Sequence, residues 1–336
     1  MILRRIIQHP IALVLYAVLV FAVGFTIIFF VKQDTERVVK RSQIAMGTIV
    51  EIKVRDMADD EAQHAISAAF AEIRRLDTLF SHSLSASPVT KLNSVGDEVV
   101  EVPYELYAML LRCDTLWRLT GGAFDVAVEA LVRSWGFSAD APMLPGDDDL
   151  LLARERSGWQ HVELLDGSRV RLNAGVGLNF GAVAKGYAVD RAVEVLHTHG
   201  VREGLVNAGG DMRPVGGLWK VGIQHPREAH RLLATLALEG VCVATSGDYE
   251  QYFEVDGVRY HHIFDPLSGM PARGCSSVSV VADNNTTADA IATAVFVMGP
   301  SKGMEFLRSF PNIEGMIVDD HGTVIMTPGF DNYLTR

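Results

Sequence analysis

Cysteine is scarce. The 336 residues hold three, Cys113, Cys242 and Cys275, far apart and with no C-x-x-C pair. A scattered, odd-numbered set excludes a disulfide framework and a zinc ribbon, leaving buried thiols as the reading. Blocks of positive charge are also lacking: the net charge is −11, and Lys and Arg occur only in short clusters. A nucleic-acid binder needs a basic footprint, so no nucleic-acid partner is expected. An anionic ligand would instead depend on local lysines or a metal. There is no internal repeat and no low-complexity tract. Leu205-Val-Asn-Ala-Gly-Gly-Asp211 matches neither G-x-G-x-x-G nor a P-loop, and Thr245-Ser-Gly-Asp-Tyr249 lacks the G-x-S-x-G elbow. Rossmann, Walker and serine-hydrolase chemistry therefore have no support.

Long hydrophobic runs are absent except at the start. Ile11 to Val31 is 21 residues without a charge, long enough as a helix to span about 31 Å of hydrocarbon. Phe29-Phe30-Val31 leads straight into Lys32, which is a poor cleavage site. Arg4 and Arg5 in the short preceding tail favour an amino terminus in the cytoplasm, although Lys32, Arg37, Lys40 and Arg41 blunt that bias. The expected organisation is a cytoplasmic tail over 1–10, a single transmembrane signal anchor over 11–31, a charged linker over 32–42 and one domain over 43–336. That places the domain on the periplasmic or exterior face of a cell inner membrane.

Periodicity supplies the elements of that domain. Thr48, Val50, Ile52 and Val54 alternate as in a strand. Asp59 or Asp60 can cap a helix with Ala62, Ile66, Phe70, Ile73 and Phe80 on its apolar face. Pro103 suits the first turn of a helix running to about Leu119. Three hairpins follow, at Asp166-Gly167, Asp256-Gly257 and His321-Gly322, the Asp-Gly pairs being two-residue turn signals. Further helices are predicted from Gly186 to His199 and from Thr287 to Met298, the latter stopped by Gly299-Pro300. Residues 139–149 read as an acidic surface loop. Hairpins interspersed with helices imply an α+β fold with largely antiparallel sheets.

Two stretches suggest chemistry. In Ala288-Asp-Ala-Ile-Ala-Thr293, Asp289 and Thr293 are four apart, so on a helix a carboxylate and a hydroxyl converge. Oxygen ligands suit a hard cation such as Mg²⁺. A helix-start carboxylate and a back-bonded threonine explain the pair equally well. In Asn179-Phe-Gly-Ala-Val-Ala-Lys185-Gly186, small residues lead into one cation where a phosphate could lie. His261 and His262 end a strand and fall on opposite faces, so one is packed or exposed while the other can serve as acid or base.

Eight blocks taken in order resemble the ApbE family of FAD:protein FMN transferases. They are Met46-Gly-Thr48; Phe80-Ser81 with Leu92-Asn93; Thr120-Gly-Gly-Ala-Phe-Asp125 with Trp135-Gly-Phe137; Ala184-Lys-Gly-Tyr-Ala-Val-Asp190; Asn207-Ala-Gly-Gly-Asp211; Ala244-Thr-Ser-Gly-Asp-Tyr249; His261-His-Ile-Phe-Asp-Pro266 with Gly269-Met-Pro271; and Ala288 to Thr293. The resemblance implies a T-fold-like α+β domain, FAD as flavin donor and Mg²⁺ as cofactor. The implied reaction moves FMN onto a Thr or Ser hydroxyl of a partner flavoprotein, such as a subunit of a membrane redox complex, with release of AMP. It implies Mg²⁺ ligands at the Ala182 carbonyl, Asp289 and Thr293. FAD contacts are implied at Met46, Ser83, Ala123, Phe124, Asp125, Asn179, Lys185 and Ile263, with His262 and Lys185 as the catalytic pair. Ser83 stands where the family tends to carry tyrosine, and Asn179 where it often carries aspartate. The competing readings are an FAD pyrophosphatase on the same site and a membrane-tethered flavin-binding module without turnover.

Overall fold

The chain alternates short apolar strands with amphipathic helices, and a computed structural model describes it over residues 38–137 and 142–335. The expected tail and anchor, residues 1–31, and the first part of the linker lie outside the described residues. Among the described residues no helix is long and apolar enough to cross a membrane.

The first elements are β1 (Val38–Ala45), β2 (Thr48–Arg55), α1 (Asp59–Phe80), α2 (Pro88–Ser94), β3 (Val99–Glu101) and α3 (Tyr104–Leu119). After these come α4 (Glu129–Ser134), α5 (Asp147–Glu155), the hairpin β4 (Val162–Leu165) and β5 (Arg169–Leu172), and α6 (Ala184–Thr198). The strands β6 (Glu203–Ala208), β7 (Asp211–Gly216), β8 (Trp219–Gln224), β9 (Leu232–Leu238), β10 (Cys242–Gly247), β11 (Tyr252–Val255), β12 (Val258–His261) and β13 (Cys275–Ala282) follow. The last elements are α7 (Asn285–Arg308), β14 (Glu314–Asp319) and β15 (Val324–Met326).

The main sheet is 8-stranded and antiparallel, in the order β1-β2-β6-β7-β10-β13-β14-β15. Both of its faces are covered. Helices α1, α6 and α7 pack on one side, where Val206, Ala244 and Val280 are buried. The β8–β9 hairpin packs on the other, burying Leu205, Val243 and Val281 against Trp219, Ile223 and Leu236. Every residue of β13 is buried, so its Ser-Val sequence shows no polar face, and periodicity did not reveal this central strand.

The hairpin expectations hold, with one change of loop length. Val255 pairs with Val258, leaving Asp256 and Gly257, both at positive φ, as a two-residue turn. Leu165 pairs with Arg169, so the other Asp-Gly loop has three residues, 166–168. Three further expectations change. Residues 38–42 are not linker but part of β1, an edge strand whose Lys40 and Arg41 concealed the alternation that buries Val39 and Ala45. Helix α1 is capped by Ala58 without a side-chain bond, and Asp59, Asp60 and Glu61 occupy its first turn, where the helix dipole favours negative charge. The acidic run at 147–149 likewise forms the first turn of α5, while residues 138–141 lie outside the described residues.

Helix α7 continues to Arg308 across a break at Gly299, whose φ of 77° is non-helical. The Gly299-Pro300 stop is therefore real, but a second helical piece follows it. The start of α7 is held with unusual density. Asn284 caps it through Thr287 N at 2.9 Å. The buried Asp190 of α6 accepts Asn285 N at 2.8 Å, Thr286 N at 2.9 Å and Thr286 Oγ1 at 2.6 Å, and also pairs with Arg213. Removing that carboxylate orphans several buried donors and one arginine. Asp190→Ala is expected to lower unfolding free energy by about 3 kcal/mol, read as a lower denaturant midpoint at unchanged m-value.

Candidate active site

Helices α6 and α7 meet at Gly186 because it has no side chain. A Cβ there would lie 2.3 Å from Asn285 O and 2.8 Å from Asp289 Cβ. At this distance Gly186 N donates to Asp289 Oδ2 at 3.0 Å, and the other carboxylate oxygen lies 3.4 Å from Lys185 Nζ. One turn along α7, Thr293 Oγ1 is 3.1 Å from Ser246 Oγ at the end of β10. Asn179 Oδ1 accepts Gly181 N at 2.9 Å, and Phe180 O accepts both Val183 N and Ala184 N, which fixes the turn carrying Ala182 ahead of α6.

These groups line one cavity of about 750 Å³, a size suited to a dinucleotide-scale ligand. Met46, Ser83, Ala123, Asp125, Asn179, Ala182, Lys185, His262, Ile263, Asp289 and Thr293 all border it. Phe124 does not. The turn through Gly121 and Gly122, both at positive φ, sends the neighbouring Ala123 to the cavity and the Phe124 ring into the main core. Of the FAD contacts implied by the resemblance, Phe124 is the one whose side chain the fold buries in the core, while Ala123 and Asp125 on either side of it line the cavity.

Lys185 is the ammonium of an acidic neighbourhood. Burial by itself would favour the neutral amine, but Asp211 at 3.1 Å, Asp289 at 3.4 Å and Glu250 offset it, raising the pKa and keeping the charge. Asp211 is fully buried, and neither carboxylate oxygen has a well-formed hydrogen bond. Burial and the nearby Asp289 push its pKa upward, with Lys185 opposing. Three carboxylates thus surround one ammonium, an excess that favours a further cation. Among the described residues no group of three or more His, Cys, Asp or Glu has ligating spacing. Asp211 and Asp289 bring carboxylate oxygens to Lys185, and Thr293 and Ala182 add a hydroxyl and a backbone carbonyl to the same cavity wall.

The two histidines separate as alternation requires. His261 is in the core, with Nε2 2.9 Å from Ala272 O and its ring against Phe296. His262 faces the cavity, with Nδ1 3.2 Å from Gln251 O. A carbonyl only accepts, so Nδ1 carries the proton and Nε2 is left with a lone pair. Burial pushes the His262 pKa down to about 4, helped by His261 and Lys185, so the ring is neutral near pH 7. Asp125 is the opposite case. Burial raises it to about 6 although Ala127 N and Trp159 N both donate to it.

Several lining residues were not anticipated. Asp77, which accepts Met46 N at 3.1 Å, and His82, Gln224 and Glu250 come from separate elements. No local pattern marks them. Ser246 and Asp211 lay inside recognised blocks without an assigned role. The closeness of α6 and α7 makes Gly186→Ala a test of this geometry. It is expected to cost about 2 kcal/mol from overpacking and to displace Asp289, seen together as a lower thermal midpoint and weaker binding of divalent metal.

Known proteins share this arrangement of chain. The sequence profile of the ApbE family matches residues 46–317. The FAD:protein FMN transferase of Treponema pallidum is 33% identical over 302 residues, covering 83% of each chain. That of Klebsiella pneumoniae is 30% identical over 297 residues, covering 87% of this chain and 92% of its own. The crystal structure of the ApbE protein from Thermotoga maritima superposes with a TM-score of 0.85 at 34% identity, over 89% of this chain and 100% of that one. The apo flavinyl transferase ApbE of Pseudomonas stutzeri gives 0.77 at 30% identity, over 89% and 97%. With the profile spanning every element of the cavity wall and the solved folds covering nearly the whole described chain, the protein belongs to the ApbE family.

Proposed function

We propose that the protein is a Mg²⁺-dependent FAD:protein FMN transferase. It moves the FMN half of FAD onto a Thr or Ser hydroxyl of an acceptor protein and releases AMP. The observation that carries this is the meeting, in one cavity, of a charged Lys185 beside Asp289 and Thr293 with a neutral His262. Relatives named FAD:protein FMN transferase support the same reading.

The donor set fits Mg²⁺. Asp289, Thr293 and the Ala182 carbonyl are hard oxygens, and a shell with one carboxylate leaves positions for water and phosphate oxygens, as Mg²⁺ prefers. When bound, the ion would neutralise charge on the diphosphate as a Lewis acid.

The chain's own groups account for the remaining needs. Lys185 holds a positive charge beside the diphosphate. His262 Nε2, which has no protein hydrogen-bond partner among the described residues, takes the proton of the acceptor hydroxyl. The hydroxyl oxygen bonds to the phosphorus of the FMN half, the bond from that phosphorus to the bridging oxygen breaks, and AMP leaves with that oxygen. The Gln251 carbonyl keeps His262 in the tautomer this requires. We further propose that residues 11–31 anchor the domain at the cell inner membrane facing the periplasm, a reading supported by 21 uncharged residues behind Arg4 and Arg5.

Asp289→Ala is expected to abolish transfer of flavin fluorescence to an acceptor protein. Unchanged transfer would remove the metal assignment. AMP release without any acceptor would indicate hydrolysis instead. His262→Ala should lower kcat by about 10²–10⁴. Because the base must be neutral, activity should persist down the pH scale and fall only as pH drops towards about 4.

A further inference from the structure

A second charged cluster lies in the cavity wall, apart from Lys185. Glu129, in the first turn of α4, is 7% exposed. Gly177 makes room for it, since a Cβ there would stand 3.0 Å from Glu129 Cβ, and Glu129 N donates to Gly177 O at 3.1 Å. One carboxylate oxygen lies 3.2 Å from His82 Nδ1, and the other accepts Asn179 Nδ2 at 2.9 Å. With Oδ1 of Asn179 bonded to Gly181 N, both ends of that amide are determined. A carboxylate at 179 would face that of Glu129 at the same 2.9 Å, whereas the neutral amide donates to it. His82 and Asn179 both border the cavity, and His82 Nε2 has no protein hydrogen-bond partner among the described residues.

We propose that His82 is a specificity-determining contact to the heterocycle of the bound nucleotide, its Nε2–H donating to a ring carbonyl or ring nitrogen while Glu129 accepts from Nδ1–H and orients the ring. This rests on the reading of FAD as the donor substrate. Burial would lower the His82 pKa, and so would Arg133, but the hydrogen bond and charge of Glu129 are the larger effect and raise it. Glu129 and Arg133, both from α4, are the charged groups acting on it. Below that pKa both ring nitrogens donate. Above it Nδ1 keeps its proton for Glu129, and Nε2 becomes an acceptor facing an acceptor. One nitrogen therefore changes from attraction to repulsion within the range where histidine titrates.

The test is the FAD dissociation constant, read by flavin fluorescence quenching, for the wild-type chain, His82→Gln and Glu129→Gln. For the wild type it should rise about tenfold between about pH 5.5 and about pH 8.5, as a charge-assisted bond is replaced by repulsion. His82→Gln should lose that slope, and Glu129→Gln should move its midpoint to lower pH. Asp125, raised to about 6, titrates nearby and is retained in both variants, so the difference between the curves isolates His82. Repeating the series with FMN and with AMP shows which ring is touched; a His82-dependent slope with either one supports the contact, and with neither overturns it. A His82→Gln variant that keeps the wild-type slope for FAD also overturns it and leaves the transferase reading standing. A wild-type chain that binds no FAD at any pH overturns both.

Discussion

The missing side chain of Gly186 is the constraint on which the site depends. Only glycine lets the backbone of α6 come within hydrogen-bond reach of Asp289, since a Cβ would collide with Asn285 O. The same seam is tied a few residues away, where Asp190 takes two backbone amides and a hydroxyl at the start of α7. Together these contacts fix the axial position of α7 relative to α6. Lys185 belongs to one helix and Asp289 and Thr293 to the other, so their spacing follows from that register. A slip by one residue would turn the carboxylate away from the ammonium, because successive helical residues are about 100° apart.

Electrostatics then divides the cavity into regions with different tasks. Around Lys185, three carboxylates exceed one ammonium, which draws cations and is suited to holding a metal with phosphates. His262 sits where burial removes its charge, and a single backbone carbonyl selects its tautomer. In the Glu129 region the sign is reversed: a buried carboxylate raises a histidine instead of a dry pocket lowering one. Two histidines of one cavity are thus shifted in opposite directions by their neighbours.

Much of the fold was legible because it rests on local rules. The face of α1 from Ala62 to Phe80, the Asp256-Gly257 turn and the Gly299 break follow from 3.6- and 2-residue periods and from turn chemistry. The elements that were missed had their pattern hidden by context. Edge strand β1 carries Lys40 and Arg41, and β13 is covered on both faces, so neither shows clean alternation. Among site residues, Asp289 with Thr293 was visible as a spacing, and His262 as one member of an alternating pair. Phe124 was assigned by its place in a block, although its ring packs in the core.

By itself the sequence determined the element types, the α+β class and the pairs whose geometry one helix or strand imposes, because these depend on neighbours within a few residues. Tertiary structure alone decided what stands opposite them. Asp211 beside Lys185, Ser246 beside Thr293 and Glu129 between His82 and Asn179 involve partners from 26 to 50 residues apart. No period or motif encodes such distances. They arise when the sheet and its helices close, and the charge state of each group is set by burial that exists only then.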